Sequence, residues 1–155
     1  MLSRKLFKAI SAGALVMGLG ATLAFAGADD QIKARQVEMK GNAKAIGALV
    51  AIVKGEGPYD AAVVKASLDA MAAGDAAAGA ANAWDASSLE GATIETWAKP
   101  EIWAEGSEIG AKYQAWVDAR NALAATTDEA SFKAAFPALG NACGGCHEKF
   151  RRPKG

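Results

Sequence analysis

Both cysteines and the only histidine of this 155-residue chain fall within five residues, "CGGCH" at 143–147, close to the C-terminus. C-x-x-C-H is the attachment signature of c-type haem. Its geometry explains why. On one helical turn, two thiols three residues apart can each add to one of the two vinyl groups of haem, and the adjacent imidazole then reaches the iron from the same side. Cys143 and Cys146 are therefore read as the attachment points of one covalent haem c, and His147 as an iron ligand. Rival chemistries fit less well. A thioredoxin-like redox pair needs a neighbouring β-α-β pattern. A structural zinc site needs four ligands where the chain offers three. A Cys143–Cys146 disulfide would close too small a loop to remove much unfolded-state entropy.

With no second histidine, the other axial position of the iron is vacant or taken by Met39 or Met71, or by a lysine or water. Which of these applies depends on the elements that carry the residues. Four segments place apolar residues at alternating steps of four and three, the spacing of a helical stripe. The first holds Ile32, Met39, Ala43, Ile46, Val50 and Val53, with Gln36 as its one polar member; Asp29 or Asp30 caps it, and "GEGP" at 55–58 ends it. The second has Asp60 as N-cap and carries Val64, Leu68 and Met71 before an Ala/Gly-rich stretch blurs the signal. The third opens at "KPEIW", with Pro100 at its first position and a stripe of Ile102, Ile109, Tyr113, Trp116 and Leu123. The fourth begins at a Thr126/Glu129 capping box and runs through Phe132, Phe136, Leu139, Cys143, Cys146 and Phe150. Pro137 predicts a kink or the first true turn of that helix. Between the second and third segments, "ANAWDASSLEGATIETWA" is irregular, and Trp84 and Trp97 are expected to cover an end of the core. No segment alternates like a strand. The expected fold is all-α, an antiparallel four-helix bundle with haem near its C-terminal helix.

The N-terminal "MLSRKLFKAISAGALVMGLGATLAFA" combines a basic start, a short apolar run and an A-x-A ending, so residues 1–26 are read as a cleaved signal peptide and 27–155 as one cytochrome domain. This predicts a periplasmic protein with no membrane insertion after cleavage. Without Arg4, Lys5 and Lys8, the 17 basic residues fall to 14 against 17 acidic ones. That mild acidity argues against a nucleic-acid partner. Lys149, Arg151, Arg152 and Lys154 crowd the C-terminal end. They either attract acidic redox protein partners or complement the negative end of the last helix dipole.

Four ordered stretches, "ARQVEMKGNAKAIG", "KGEGPYDAA", "KPEIW" and "NACGGCHEKFRR", span nearly all of residues 27–155. Together they resemble the class II c-type cytochromes, the cytochrome c prime superfamily. The resemblance implies a four-helix bundle with thioether bonds at Cys143 and Cys146 and His147 as proximal ligand. It implies Arg35 beside a haem propionate, Arg151 as the basic residue after the motif's aromatic, and frequent homodimers. It also places Met39 in the distal slot, where gas-binding members carry a bulky apolar residue. Met39 is thus similar to the sixth ligand of the low-spin cytochrome c-556 branch. The function implied is electron transfer, with no catalytic residues and no enzymatic activity. The alternative is a five-coordinate cytochrome c prime that binds nitric oxide or carbon monoxide. A peroxidase ranks below both, because no distal histidine is available to move protons.

Overall fold

The structure, a computed structural model, describes residues 27–153. The expected signal peptide, residues 1–26, and Lys154 lie outside the described residues. Four helices run Ala28–Lys54 (α1), Ala61–Ala80 (α2), Ile109–Ala124 (α3) and Glu129–Phe150 (α4). Short turns join α1 to α2 and α3 to α4, making two antiparallel hairpins, and a long strap over residues 81–108 connects them. Among the described residues there is no strand, only an isolated bridge between Ala98 and Arg151.

Local chemistry accounts for most of the boundaries. Gly55 ends α1 in the left-handed region at φ 73°, where its N–H and that of Glu56 return to the carbonyls of Ile52 and Ala51. The Asp60 carboxylate caps α2, accepting from Ala62 N at 2.7 Å. Helix α2 runs on to Ala80 through the stretch that blurred its stripe, because alanine is the strongest helix former and needs no periodic partner to stay helical.

Four sequence expectations are corrected here. Neither Asp29 nor Asp30 caps α1: the N-cap is Gly27, with no side-chain cap bond, and both aspartates lie in the first turn. The capping box of α4 is formed by Asp128 and Ser131, two residues later than the Thr126/Glu129 pair, with Ser131 N donating to Asp128 Oδ1 at 2.8 Å. "KPEIW" does not open α3. Pro100–Trp103 makes a single 3-10 turn, Gly106 at φ 72° breaks the chain, and α3 begins at Ile109. Pro137 lies inside α4, which is helical on both sides of it. Pro137 and Lys133 are exposed, so the carbonyl that loses its donor faces water.

The apolar core fills the half of the bundle next to the two short turns. Ala45, Leu49, Ile52, Val64, Leu68, Met71, Trp116, Ala119, Leu123, Phe132 and Leu139 form one cluster there. In this half the buried residues of α1 are Ala45, Leu49 and Ile52; of the expected stripe Ile32 is fully buried, Met39, Ile46, Val50 and Val53 are half-buried and Ala43 is exposed. The cause is partner choice: α1 packs chiefly on α2, so the residues turned toward α2 are the ones that lose water. Phe132 anchors the cluster, its ring 5.8 Å from that of Tyr59 and 5.9 Å from that of Phe136. Phe132→Ala is expected to cost about 3–5 kcal/mol, read by equilibrium denaturant unfolding of the haem-loaded protein.

Candidate haem-binding site

The opposite half of the bundle, under the strap, is built differently. Its buried side chains include Gln31, Arg35, Glu38 and Ser88. Polar groups removed from water need partners, and the strap supplies most of them. Gln31 Nε2 donates to Ser87 Oγ at 3.0 Å, and Gln36 Nε2 to the Glu95 carbonyl at 2.9 Å. Asp29 receives the Thr93 and Ile94 amides, and the Thr93 bonds hold its carboxyl below the usual range. On the α4 side, Lys99 N donates to Phe150 O and Arg152 N to Trp97 O. The strap is thereby tied to both the start of α1 and the end of α4.

Cys143, Cys146 and His147 lie together on the last turns of α4, all half-buried and the thiols free. Cys143 packs against the apolar cluster. Burial, first among the causes, pushes both thiols above their ordinary value, so they persist as thiols near neutral pH. Burial and then the nearby charge of Arg151 push His147 down, which favours the neutral imidazole that a metal requires. Arg151 itself is exposed and caps α4, its N–H bonded to the His147 carbonyl.

Arg35 is 4% exposed, and its guanidinium lies 5.5 Å from the centre of the Trp84 ring and 5.3 Å from that of Trp103. Its Nη1 donates to the Ala83 carbonyl and to Ser88 Oγ. Its Nη2 is buried with no partner. One helical turn later stands Met39, half-buried, and then Asn42, whose Oδ1 is likewise buried and unpartnered. Arg35, Met39, Asn42 and Ile46 recur at steps of four, three and four, so they share one flank of α1. Met71 belongs instead to the packed cluster and is 1% exposed.

Sequence reasoning missed the clamp on Arg35 and the buried carboxyl of Glu38. Glu38 accepts from Trp84 Nε1 at 3.1 Å, and burial pushes its pKa up to about 7. A dense tryptophan content in an irregular segment was the available signal for the clamp. Nothing in the sequence marked Glu38, which looks like one more surface acid on a helix. The residues present fit a haem: two free thiols and an imidazole on one helix, and on α1 an orphaned guanidinium nitrogen one turn before a half-buried thioether.

The comparisons with known proteins agree. The chain matches the family described as Cytochrome C' over residues 30–151. It is 33% identical to a cytochrome c' of Alcaligenes xylosoxydans xylosoxydans, across 84% of this chain and 99% of that relative. It is 34% identical to a cytochrome c-556 of Rhodopseudomonas palustris, across 94% and 97%. The cytochrome c prime of Shewanella frigidimarina superposes with a TM-score of 0.71 at 30% identity, covering 83% of this chain and 99% of that one. A nitric oxide complex of a mutant cytochrome c prime from Alcaligenes xylosoxidans gives 0.70 at 32% identity, again over 83% and 99%. The chain belongs to the cytochrome c prime family of four-helix haem proteins, whose cofactor is a covalently attached haem c.

Proposed function

We infer that this chain is an exported, periplasmic electron carrier, with haem joined to Cys143 and Cys146 and its iron held between His147 and Met39. The bound haem supplies a one-electron couple, and a His/Met pair leaves no open position for a substrate or gas. The observation that carries this reading is the placement of Met39. It lies outside the packed core, half-buried, one turn from the buried Arg35, whereas Met71 is committed to the core. His147 is the only imidazole in the chain, so no histidine competes with Met39. Optical spectra of the oxidised and reduced protein test it: low-spin spectra and poor uptake of carbon monoxide are expected, and a high-spin oxidised form refutes it.

One observation favours the alternative, a five-coordinate binder of nitric oxide or carbon monoxide. The fold superposes closely on solved nitric oxide complexes of a relative at 31–32% identity. A freely accessible distal position is the result that would select this reading.

Arg35 and Arg151 are the residues assigned to the propionates. The unpartnered Nη2 of Arg35 supports its role, since a buried guanidinium nitrogen gains a charge-assisted bond from a carboxylate. Arg35→Leu removes a cation that disfavours Fe(III), so the potential is expected to fall by roughly 60 mV, a tenfold change in the equilibrium. Its pH dependence should change as well. An unchanged potentiometric titration across neutral pH would remove Arg35 from the site.

Acidic redox proteins are the proposed partners, although part of the basic end is spent locally. Lys149 Nζ pairs with Glu108 at 2.7 Å, and Arg152 donates to the Thr96 carbonyl. No described helix is long and apolar enough to cross a membrane. A homodimer is the proposed assembly. The groove between α1 and α2, lined by Ala34, Val37, Gly41, Ala70, Gly74 and Ala77, lets backbones approach closely, and Val37 is 70% exposed.

A further inference from the structure

Tyr113, on α3, directs its hydroxyl at both carboxylate oxygens of Asp75 on α2, at 2.9 and 2.8 Å. The same carboxylate lies 3.8 Å from Arg120 Nη1, a buried nitrogen with no hydrogen-bond partner. Arg120 in turn covers the Trp116 ring at 4.6 Å, and the Trp116 and Tyr113 rings are 5.9 Å apart. Trp116 is 9% exposed and belongs to the apolar cluster against which Cys143 packs, while Tyr113 is 46% exposed. The four side chains thus form a connected cluster that reaches from the apolar core, at Trp116, to water, at Tyr113. The groups facing it are Asp75 from α2, Arg120 from α3 and the buried Glu38 from α1. Nothing in the haem assignment uses this cluster.

We propose that Tyr113, with Asp75 as its proton acceptor and Trp116 as its inner neighbour, is a redox-active site that passes oxidising equivalents between the apolar core and the surface. The chemistry balances within the cluster. A strong outer-sphere one-electron oxidant takes one electron from the aromatic pair and is reduced by one. The Tyr113 O–H bond breaks, its proton moves along the existing hydrogen bond to Asp75, and a neutral tyrosyl radical and a neutral carboxylic acid remain. A small-molecule one-electron donor in solvent, of the ascorbate or thiol class, reverses the step, with the proton returning from Asp75. Arg120 decides which ring holds the hole. A Trp116 cation radical would form directly beneath a guanidinium and be repelled by it, whereas oxidised Tyr113 sheds its charge to a base already in place. Burial and the Asp75 bond hold the phenol above its ordinary pKa, so the proton stays on Tyr113 until the electron leaves.

The chain has only two tyrosines, which makes the site directly testable. The other, Tyr59, packs on Phe132 and has no carboxylate partner among the described residues. Haem-loaded protein in the oxidised state is exposed to a photogenerated ruthenium(III) polypyridyl oxidant, freeze-quenched, and read by electron paramagnetic resonance. Parent and Tyr59→Phe should give a tyrosyl signal, and Tyr113→Phe should lose it. Asp75→Asn still accepts the hydrogen bond but not the proton, so radical formation should slow roughly tenfold, the loss of one charge-assisted bond. Arg120→Leu should move part of the signal to a tryptophan radical. A signal that resides on Tyr59, or an Asp75→Asn rate equal to that of the parent, overturns the proposal. The readout is independent of which ligand the iron takes, so it can fail without affecting the Met39 assignment, and the reverse also holds.

Discussion

Met39→Ala is expected to turn a low-spin, six-coordinate protein into a high-spin one that takes up carbon monoxide readily when reduced. The side chain lost is a thioether, a soft donor that favours Fe(II), so the reduction potential should fall with it. Axial-ligand identity tunes haem potentials over roughly 0.8 V, and a drop on the order of 0.1 V is the scale expected here. The weak charge-transfer band that a sulfur–iron bond contributes at the red end of the spectrum should disappear in the same variant. Met71→Ala is the control. Met71 is fully buried in the packed cluster, so its loss should lower stability while leaving the band and the potential near those of the parent. A high-spin parent that binds the gas as well as Met39→Ala does would make Met39 a filler of irregular space, a common role for methionine, and would select the gas-binding reading.

The second large effect concerns attachment. Replacing Cys143 and Cys146 together by alanine removes both nucleophiles and leaves His147 in place, so any haem retained is held by coordination and packing alone. Intact-mass analysis after acid-acetone extraction should give the apoprotein mass for the double variant and the mass plus one haem for the parent. The same measurement reads where the mature chain starts, proposed to be Gly27. A parent of apoprotein mass would end the covalent assignment, and a different first residue would move the cleavage site.

The parts of this molecule legible in sequence are those whose determinants are neighbours along the chain. "CGGCH" carries its chemistry within five residues, and Asp60 announces a helix start because a cap acts two to three residues away. The faces of the helices were less legible. The face that α1 buries depends on α2 being its main partner, a tertiary choice that the spacing of Ile32, Met39 and Ile46 does not encode. The strap shows the same limit more strongly. The bonds from Arg35 to Ala83 and Ser88 join residues about 50 apart, and neither Trp84 nor Trp103 carries a local sign of its ring contact with Arg35. "KPEIW" reads as a helix start, and it does begin a helical turn. Gly106 then stops that turn by adopting a backbone conformation that other residues avoid.

The long sequence separations of the strap's contacts also bear on the order of events during folding. Each hairpin closes through a short turn and pays little loop-closure entropy, so the α1–α2 and α3–α4 pairs can form early and locally. The strap must instead bring Thr93 to Asp29, Ser87 to Gln31 and Trp97 to Arg152, contacts that span more than 50 residues each. The first two need the start of α1, and the last needs the end of α4, so the strap is complete only when both hairpins exist to receive it. If the strap docks last, the α4 segment carrying Cys143, Cys146 and His147 is helical before it is covered, an interval in which a cofactor would have open access to the thiols. Slowing strap docking, for instance by removing the Asp29 carboxylate that fixes its middle, lengthens that window without touching any residue that binds haem.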